Sequence, residues 1–300
     1  MKKFTNFTKK IFIFFLIFNL TCVSSAQAAA TFVDSFDVLD QGTLPDAVAF
    51  NNDGTKMFVV GSDGDAVNEY TLSTGFDVST ASYAGDDERF DVSNENARPS
   101  GVAFNNNGTK MFVIGWDSND FVYEYTLTTG FDVSTASYAG DDESFSVVSE
   151  DGTSRGLAFN NDGTKMFVAA SDNDNISEYT LTTGFDVSTA SYAGDDERFD
   201  PSITNPSGVT FNRSGSRMFV SSGTDKKIYE FSLSTAFDVS TASSTGNLTI
   251  SSEENSVADV AFNNDGTKMF IVGWANDAVI EYTLSCAYKV TSSSTCDDPS

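Results

Sequence analysis

A ten-residue phrase, FNNDGTKMFV starting at Phe50, returns with small changes at Phe104, Phe159, Phe211 and Phe262, at spacings of 54, 55, 52 and 51 residues. Such a repeat constrains the fold more than any local propensity, because each unit buries its apolar face only against a neighbouring copy. Within a unit, small and apolar residues run through GVAF, KMFVIG and FVYEYTL, and a fourth strand-like stretch, SYAGDDESFSV, follows the connector TTGFDVSTA. Asn-Asn-Asp-Gly between the first and second segments is a tight hairpin signal, and Asp, Asn, Gly and Ser cluster between the second and third. No sustained helical periodicity follows the N-terminal segment. Four strands per unit, five times over, predict an all-β fold: a five-bladed β-propeller of four-stranded antiparallel blades.

The two ends predict how the ring closes. TFVDSFDV (31–38) aligns with the fourth strand of a unit but has no first three before it, whereas Phe262 to Leu284 supplies three strands and then breaks into SCAYKV. The N-terminal strand 31–38 is expected to pair with the last blade, which leaves no long unpaired edge.

Residues 1–28 carry Lys2, Lys3, Lys9 and Lys10, an apolar run from Ile11 to Phe18 and small residues up to Ala28. That is the order of a secretory signal peptide, with an apolar run too short to span a bilayer. Lipid modification at Cys22 is the alternative, and Asn19-Leu20-Thr21 matches it poorly. The expected organisation is a signal peptide 1–28, a β-propeller 29–285 and a C-terminal tail 286–300. The protein would be a monomer exported to the periplasm, the medium or the cell surface, with no transmembrane segment.

Without the signal, 13 basic residues face 43 acidic ones, a formal charge of −30. Nucleic acid and anionic lipid need positive charge on their partner and are excluded; the plain reading of the acidity is solubility in a salty exterior. In an oxidising compartment Cys286 and Cys296 are expected to form a disulfide that holds down the tail.

Several repeated residues read as structural. Glu69, Glu124, Glu178, Glu230 and Glu281 share a sheet face with Lys56, Lys110, Lys165, Arg217 and Lys268, as cross-strand ion pairs would. Phe76, Phe131, Phe185 and Phe237 should plug the gaps between blades, with Asp77, Asp132, Asp186 and Asp238 as turn formers and Tyr70, Tyr125, Tyr179 and Tyr282 in the core. Units reading GVAFNNDGTKMFVVG…VNEYTLSTGFDVSTAS resemble an uncharacterised repeat of bacterial and phage proteins, and are more distantly similar to YVTN-type, lactonase-like β-propellers. The resemblance covers Thr31 to Leu284 and implies a propeller. No metal-ligand or catalytic set of the lactonases matches position by position, so none is carried over.

Divergence among the five units points to a site. The first-to-second and third-to-fourth connections are nearly uniform, while the second-to-third loops and the linkers into each first strand vary. Successive connections of a meandering blade alternate between the two ends of the disc, so both variable kinds should emerge on one face. That face receives Trp116, Trp274, Arg98, Arg155, Lys226 and Lys227, and the residues four before each anchor phenylalanine, Asp46, Ser100, Arg155, Ser207 and Ala258, should lie near the channel mouth with Asp259 beside them. Trp116, Trp274, Asp46, Arg155, Asp259, Arg98, Lys226 and Lys227 are therefore the candidate ligand-binding residues.

The leading reading is a secreted binding module for a protein or glycan, rather than an enzyme. The chain has no histidine, which removes Ser-His-Asp and Cys-His catalysis and His-bearing zinc sites. The alternatives are a carboxylate- or calcium-dependent hydrolase of lactonase or glycosidase type, and a structural or adhesive surface protein. No cofactor and no metal site are expected. Calcium is the alternative that the acidic hairpins invite, but DNDNISE (172–178) has Ile176 at its fifth position and lacks the glycine and the terminal glutamate of a calcium loop, and Asp117, Asn119 and Phe121 fail similarly. The GDDE runs at 85–88, 140–143 and 194–197 read as a solvated acidic rim.

Overall fold

The computed structural model describes residues 29–116, 120–291 and 296, so the signal-like segment 1–28 lies outside it. Five antiparallel sheets succeed one another along the chain, with no α-helix among the described residues. Blade 1 comprises Pro45–Phe50, Lys56–Gly61, Ala66–Leu72 and a fourth strand in two pieces, Ala81–Tyr83 and Arg89–Asp91. Blade 2 comprises Pro99–Phe104, Lys110–Gly115, Phe121–Leu127, then Ala136–Tyr138 with Ser144–Ser146. Blade 3 comprises Ser154–Phe159, Lys165–Ala170, Asn175–Leu181, then Ala190–Tyr192 with Arg198–Phe199. Blade 4 comprises Pro206–Phe211, Arg217–Ser222, Lys227–Leu233 and Ala242–Thr249.

Blade 5 has Val257–Phe262, Lys268–Gly273 and Ala278–Leu284, and takes its fourth strand, Ala30–Asp37, from the other end of the chain. That strand runs antiparallel to Ala278–Leu284, from Ala30 opposite Leu284 to Asp37 opposite Ala278. The ring thus closes as the sequence predicts, and the first strands of successive blades neighbour one another around the axis.

One local expectation changes. SYAGDDESFSV is not a single strand, because in blade 1 the pairing jumps from Tyr83 opposite Tyr70 to Arg89 opposite Asn68. The intervening residues loop out as a short 3-10 turn after Gly85, whose φ of 121° favours glycine. Blade 4 lacks the GDDE run and keeps a continuous fourth strand.

The core lies mainly between blades, since clusters such as Phe58 and Val60 with Val113 and Tyr125 join residues of two neighbours. Phe76 packs on Phe50 of its own blade and Phe270 of blade 5, with ring centroids at 5.4 and 6.2 Å, which confirms its plugging role. The turn glycine Gly54 sits at φ 71°, and a Cβ there would lie 2.3 Å from the Phe76 ring. Two independent constraints therefore fix glycine in NNDG. Tyr70, Tyr125, Tyr179 and Tyr282 are buried, as expected.

The predicted ion pairs form, with Nζ–Oε1 distances of 2.6 Å for Lys56–Glu69, Lys110–Glu124 and Lys165–Glu178 and 2.7 Å for Lys268–Glu281, and with Arg217 pairing Glu230. They also clasp the next blade. Oε2 of Glu69 accepts from the Val133 N–H at 3.3 Å and that of Glu281 from Val78 at 3.0 Å. The lysines complete the clasp by donating to the preceding phenylalanine carbonyl, Lys56 to Phe131 at 2.8 Å and Lys268 to Phe76 at 2.6 Å. Burial pushes the Glu69, Glu124 and Glu178 carboxyls up, against the hydrogen bond and charge of the lysine.

On the uniform face a second set of staples runs around the axis. Nδ2 of Asn52, Asn106 and Asn161 each donates at 2.8 Å to the backbone carbonyl of Asn106, Asn161 and Arg213 on the following blade, and Asn264 donates to Asn52 across the closing seam.

The repeat also outlasts its apparent break at SCAYKV. Tyr288 takes the position of Phe76: it has φ 50°, its N–H donates to Gly266 at 2.8 Å, and its ring lies 5.4 Å from Phe262. Val290 donates to Glu230 at 2.9 Å as Val78 does to Glu281. Blade 5 packing therefore extends five residues past the boundary read at 285. Cys286 and Cys296 form the expected disulfide, with Cα atoms 5.2 Å apart.

Candidate functional site

The two classes of connection separate as predicted. On one face the uniform turn and connector touch, with Phe76 donating to Gly54 at 3.0 Å. On the other, the variable loops and linkers touch, with Ser62 donating to the Leu44 carbonyl at 3.3 Å and Trp116 to that of Arg98 at 3.3 Å.

At the axis of the variable face the five blades contribute four different residue types. Asp46, Arg155 and Ser207 lie on the first strands of blades 1, 3 and 4, and Trp116 and Trp274 directly follow the second strands of blades 2 and 5. The Arg155 guanidinium carbon lies 5.1 Å from the Trp116 ring and 5.0 Å from the Trp274 ring, and Arg98 covers Trp116 at 4.4 Å. Asp46 is buried and accepts from Trp274 Nε1 at 3.0 Å and the Ser62 N–H at 2.9 Å, while Arg155 Nη1 stands 3.6 Å away. A cavity of about 370 Å³ opens over this cluster, lined by both tryptophans, Arg155, Thr153, Ser171, Asp172, Asn205, Ser207, Gly223 and Thr224.

Asp259 lies deeper. Its counterparts on the other first strands are Ala47, Gly101, Gly156 and Gly208, and a Cβ on Gly101 or Gly156 would lie 2.6 or 2.7 Å from a backbone carbonyl of the next blade, so neighbouring first strands approach closely at this level. The Asp259 carboxylate accepts from the Val48 N–H at 3.2 Å, and a Cβ on Gly208 would lie 2.3 Å from its Oδ1. Burial pushes Asp259 up to about 7, with the Asp46 charge adding to the shift. Burial also lifts Asp46 to about 6, against its hydrogen bonds and the Arg155 charge. Desolvation in turn holds the Arg155 guanidinium below its usual value, opposed by Asp46 and Asp172.

Six of the eight predicted site residues, Trp116, Trp274, Asp46, Arg155, Arg98 and Asp259, thus meet at the axis. Lys226 and Lys227 do not. Lys226 stands where other blades have Asp65, Asp120, Asp174 and Asp277, all at positive φ, and its Nζ reaches Asn255 on the next linker at 3.4 Å. Lys227 lies 5.8 Å from the Tyr229 ring. Ser100 serves the frame, donating to the Ser154 and Arg155 carbonyls at 3.2 and 3.1 Å. Ser171 and Thr224 were not singled out from sequence; each sits in a variable second-to-third loop, which was the available signal.

The acidic rim is not wholly solvated. Asp86 and Asp87 are exposed, but Glu88 turns inward to within 4.8 Å of Glu69 and Asp132, and Glu143 and Glu197 form the same trio in blades 2 and 3. Lys56, 2.6 Å from Glu69, already supplies a cation to the first trio. Asp117 and Asn119 lie outside the described residues.

No family model and no curated protein matches the chain, so the resemblance to YVTN-type propellers rests on the repeat residues themselves. Among solved structures, the β-propeller domain of Cps50 (Swd1) from Myceliophteria thermophila is similar at 9% identity and a TM-score of 0.49, covering 85% of this chain and 100% of that one. The five-bladed propeller described here follows from the strand pairing of the chain itself.

Proposed function

We propose that the chain is an exported binding module whose ligand enters the axial cavity on the variable face. The observation that carries this reading is the departure from fivefold repetition at one place. Clasps and plugs recur from blade to blade, whereas tryptophan, arginine, serine and tryptophan from blades 2 to 5 line a single cavity, with Asp46 of blade 1 held beside it by Trp274. Channel mouths and loops on a rigid frame are preferred ligand sites. Export is supported by the signal-like N-terminus and by the Cys286–Cys296 disulfide.

A hydrolytic role fits less well. Asp46 and Asp259 are the paired carboxylates of the axis, but neither lines the cavity, and Asp46 is held by Trp274, Ser62 and Arg155. A general acid must reach the bond it protonates.

The test is a screen of glycan and protein arrays with the wild-type chain and Trp116→Ala. Bound ligands should be lost in the variant while its melting temperature stays within a few degrees. Retention of every ligand by a folded variant would place the site elsewhere.

A further inference from the structure

We infer that the axial cavity takes a carboxylated sugar, a uronic acid within an acidic glycan, with Arg155 as the anchor of its carboxylate; this rests on the axial site proposed above. Arg155 is well placed for the role. Its Nε donates to Ser171 Oγ at 3.3 Å, but Nη1 stands 3.6 Å from Asp46, beyond hydrogen-bond distance, and among the described residues its terminal nitrogens meet no acceptor within that distance. Its guanidinium carbon lies over two indole rings, 5.1 Å from the centroid of Trp116 and 5.0 Å from that of Trp274. A fork fixed in this way and open at its edge suits a planar group with two oxygens.

A second donor is independent of the first. Trp116 Nε1–H is buried and has no hydrogen-bond partner among the described residues. A buried donor without an acceptor is destabilising, and a ligand oxygen that reached it would remove that cost. Two residues that line the cavity thus carry unmet donors, while the one carboxylate of the lining, Asp172, also pulls on the Arg155 charge.

The remaining lining selects the body that carries the carboxylate. Thr153, Ser171, Ser207, Thr224 and Asn205 add hydroxyls and an amide around the guanidinium. An acidic peptide side chain would use the guanidinium and leave those groups to water, whereas a sugar ring offers hydroxyls for them to meet. The volume, about 370 Å³, is at the small end of the range for small-molecule sites, roughly 300–1,000 Å³. Asp46 acts as a resident counter-ion: its pull on Arg155 orients the fork, but at 3.6 Å it leaves the hydrogen bonds unmade.

The experiment is calorimetric titration of the full chain with oligomers of glucuronate and galacturonate, their neutral glucose and galactose counterparts, and a glutamate-rich peptide. The uronates should bind about 10- to 100-fold more tightly than the neutral sugars, the range expected of a charge-assisted hydrogen-bonded pair. Arg155→Met should remove that preference, and Asp46→Asn, which deletes the stronger of the two carboxylates that pull on Arg155, should tighten uronate binding. Should Arg155→Met fail to fold because it strands Asp46, the Arg155→Met/Asp46→Asn double variant removes both charges together and should show the same loss. Equal binding of acidic and neutral sugars, lost in Trp116→Ala, would overturn the carboxylate assignment and leave the axial site standing. Uronate binding indifferent to both Arg155→Met and Trp116→Ala would overturn both. Binding of the peptide through Arg155 without uronate binding, or no uronate heat up to about 10 mM, would overturn the sugar.

Discussion

Tyr288 and Arg213 depart from the repeat together, and each explains the other. Arg213 occupies the position of Asn52, Asn106, Asn161 and Asn264, so no side-chain amide reaches from blade 4 to the carbonyl of Asn264. Where the other connectors have phenylalanine, the hydroxyl of Tyr288 donates to that carbonyl at 3.0 Å and to Asn263 at 3.1 Å. Tyr288→Phe should therefore cost about 1 kcal/mol, the net worth of a hydrogen bond. Arg213→Asn should cost little in the wild type and recover most of that loss in the Tyr288→Phe background. Denaturant unfolding of the four variants measures the coupling, and strictly additive effects would show that the two departures are unrelated.

At the scale of the element, the strand Ala30–Asp37 does more than complete a sheet. It pairs with Ala278–Leu284, and its Phe36 packs edge-on against Tyr70 of blade 1 at 5.6 Å, as Phe90 of blade 1 packs on Tyr125 of blade 2 at 5.3 Å. One strand thus joins both sides of the seam. Val38, just beyond it, is buried and donates to the Asp277 carbonyl at 2.9 Å. A chain lacking residues 29–38 should expose the edge of blade 5 and melt well below the full chain or associate through that edge. A synthetic peptide of 29–38, added in excess, should bind and restore the transition. An unchanged melting curve for the truncated monomer would mean that the ring holds without its closing strand.

At the scale of the molecule, the axis makes stability depend on pH. Asp46 and Asp259, at about 6 and 7, sit above the ordinary 3.8, so between roughly pH 4 and 7 the folded state binds more protons than the unfolded chain. Stability must then rise as pH falls through that window, and the raised Glu69, Glu124 and Glu178 act in the same direction. Asp53, Asp91, Asp162 and Asp265, held low by hydrogen bonds from neighbouring hydroxyls and N–H groups, reverse the trend at more acid pH, where they protonate. Thermal melts should show a higher midpoint at pH 5 than at pH 8. Asp259→Asn should raise stability at pH 8 by on the order of 2 kcal/mol and flatten the profile. A wild-type midpoint that falls between pH 8 and 5 would contradict the raised values of these carboxylates.

Most of the frame was legible because it is periodic. Strand count, ring closure, the Lys–Glu pairs and the Phe76 plug follow from residue types recurring at fixed offsets, and in a ring of like units one interface describes nearly all of them. The split fourth strand was missed because GDDE reads as a turn or a strand end until the register is known. Of the candidate site, the sequence placed Asp46 and Arg155 at the channel mouth because they lie on first strands, but it grouped Lys226 and Lys227 with them because all lie in variable segments of one face. Distance from the axis separates them. Arg155 is on a first strand, where five backbones converge, and Lys226 precedes a third strand farther out. Sequence alone determined the repeating wedge and the strand that closes it, because those depend on neighbours along the chain and on the adjoining unit. The stacking of Trp116, Arg155 and Trp274 beside Asp46 was decided by tertiary structure, because closing the ring brings residues from four blades to a single point.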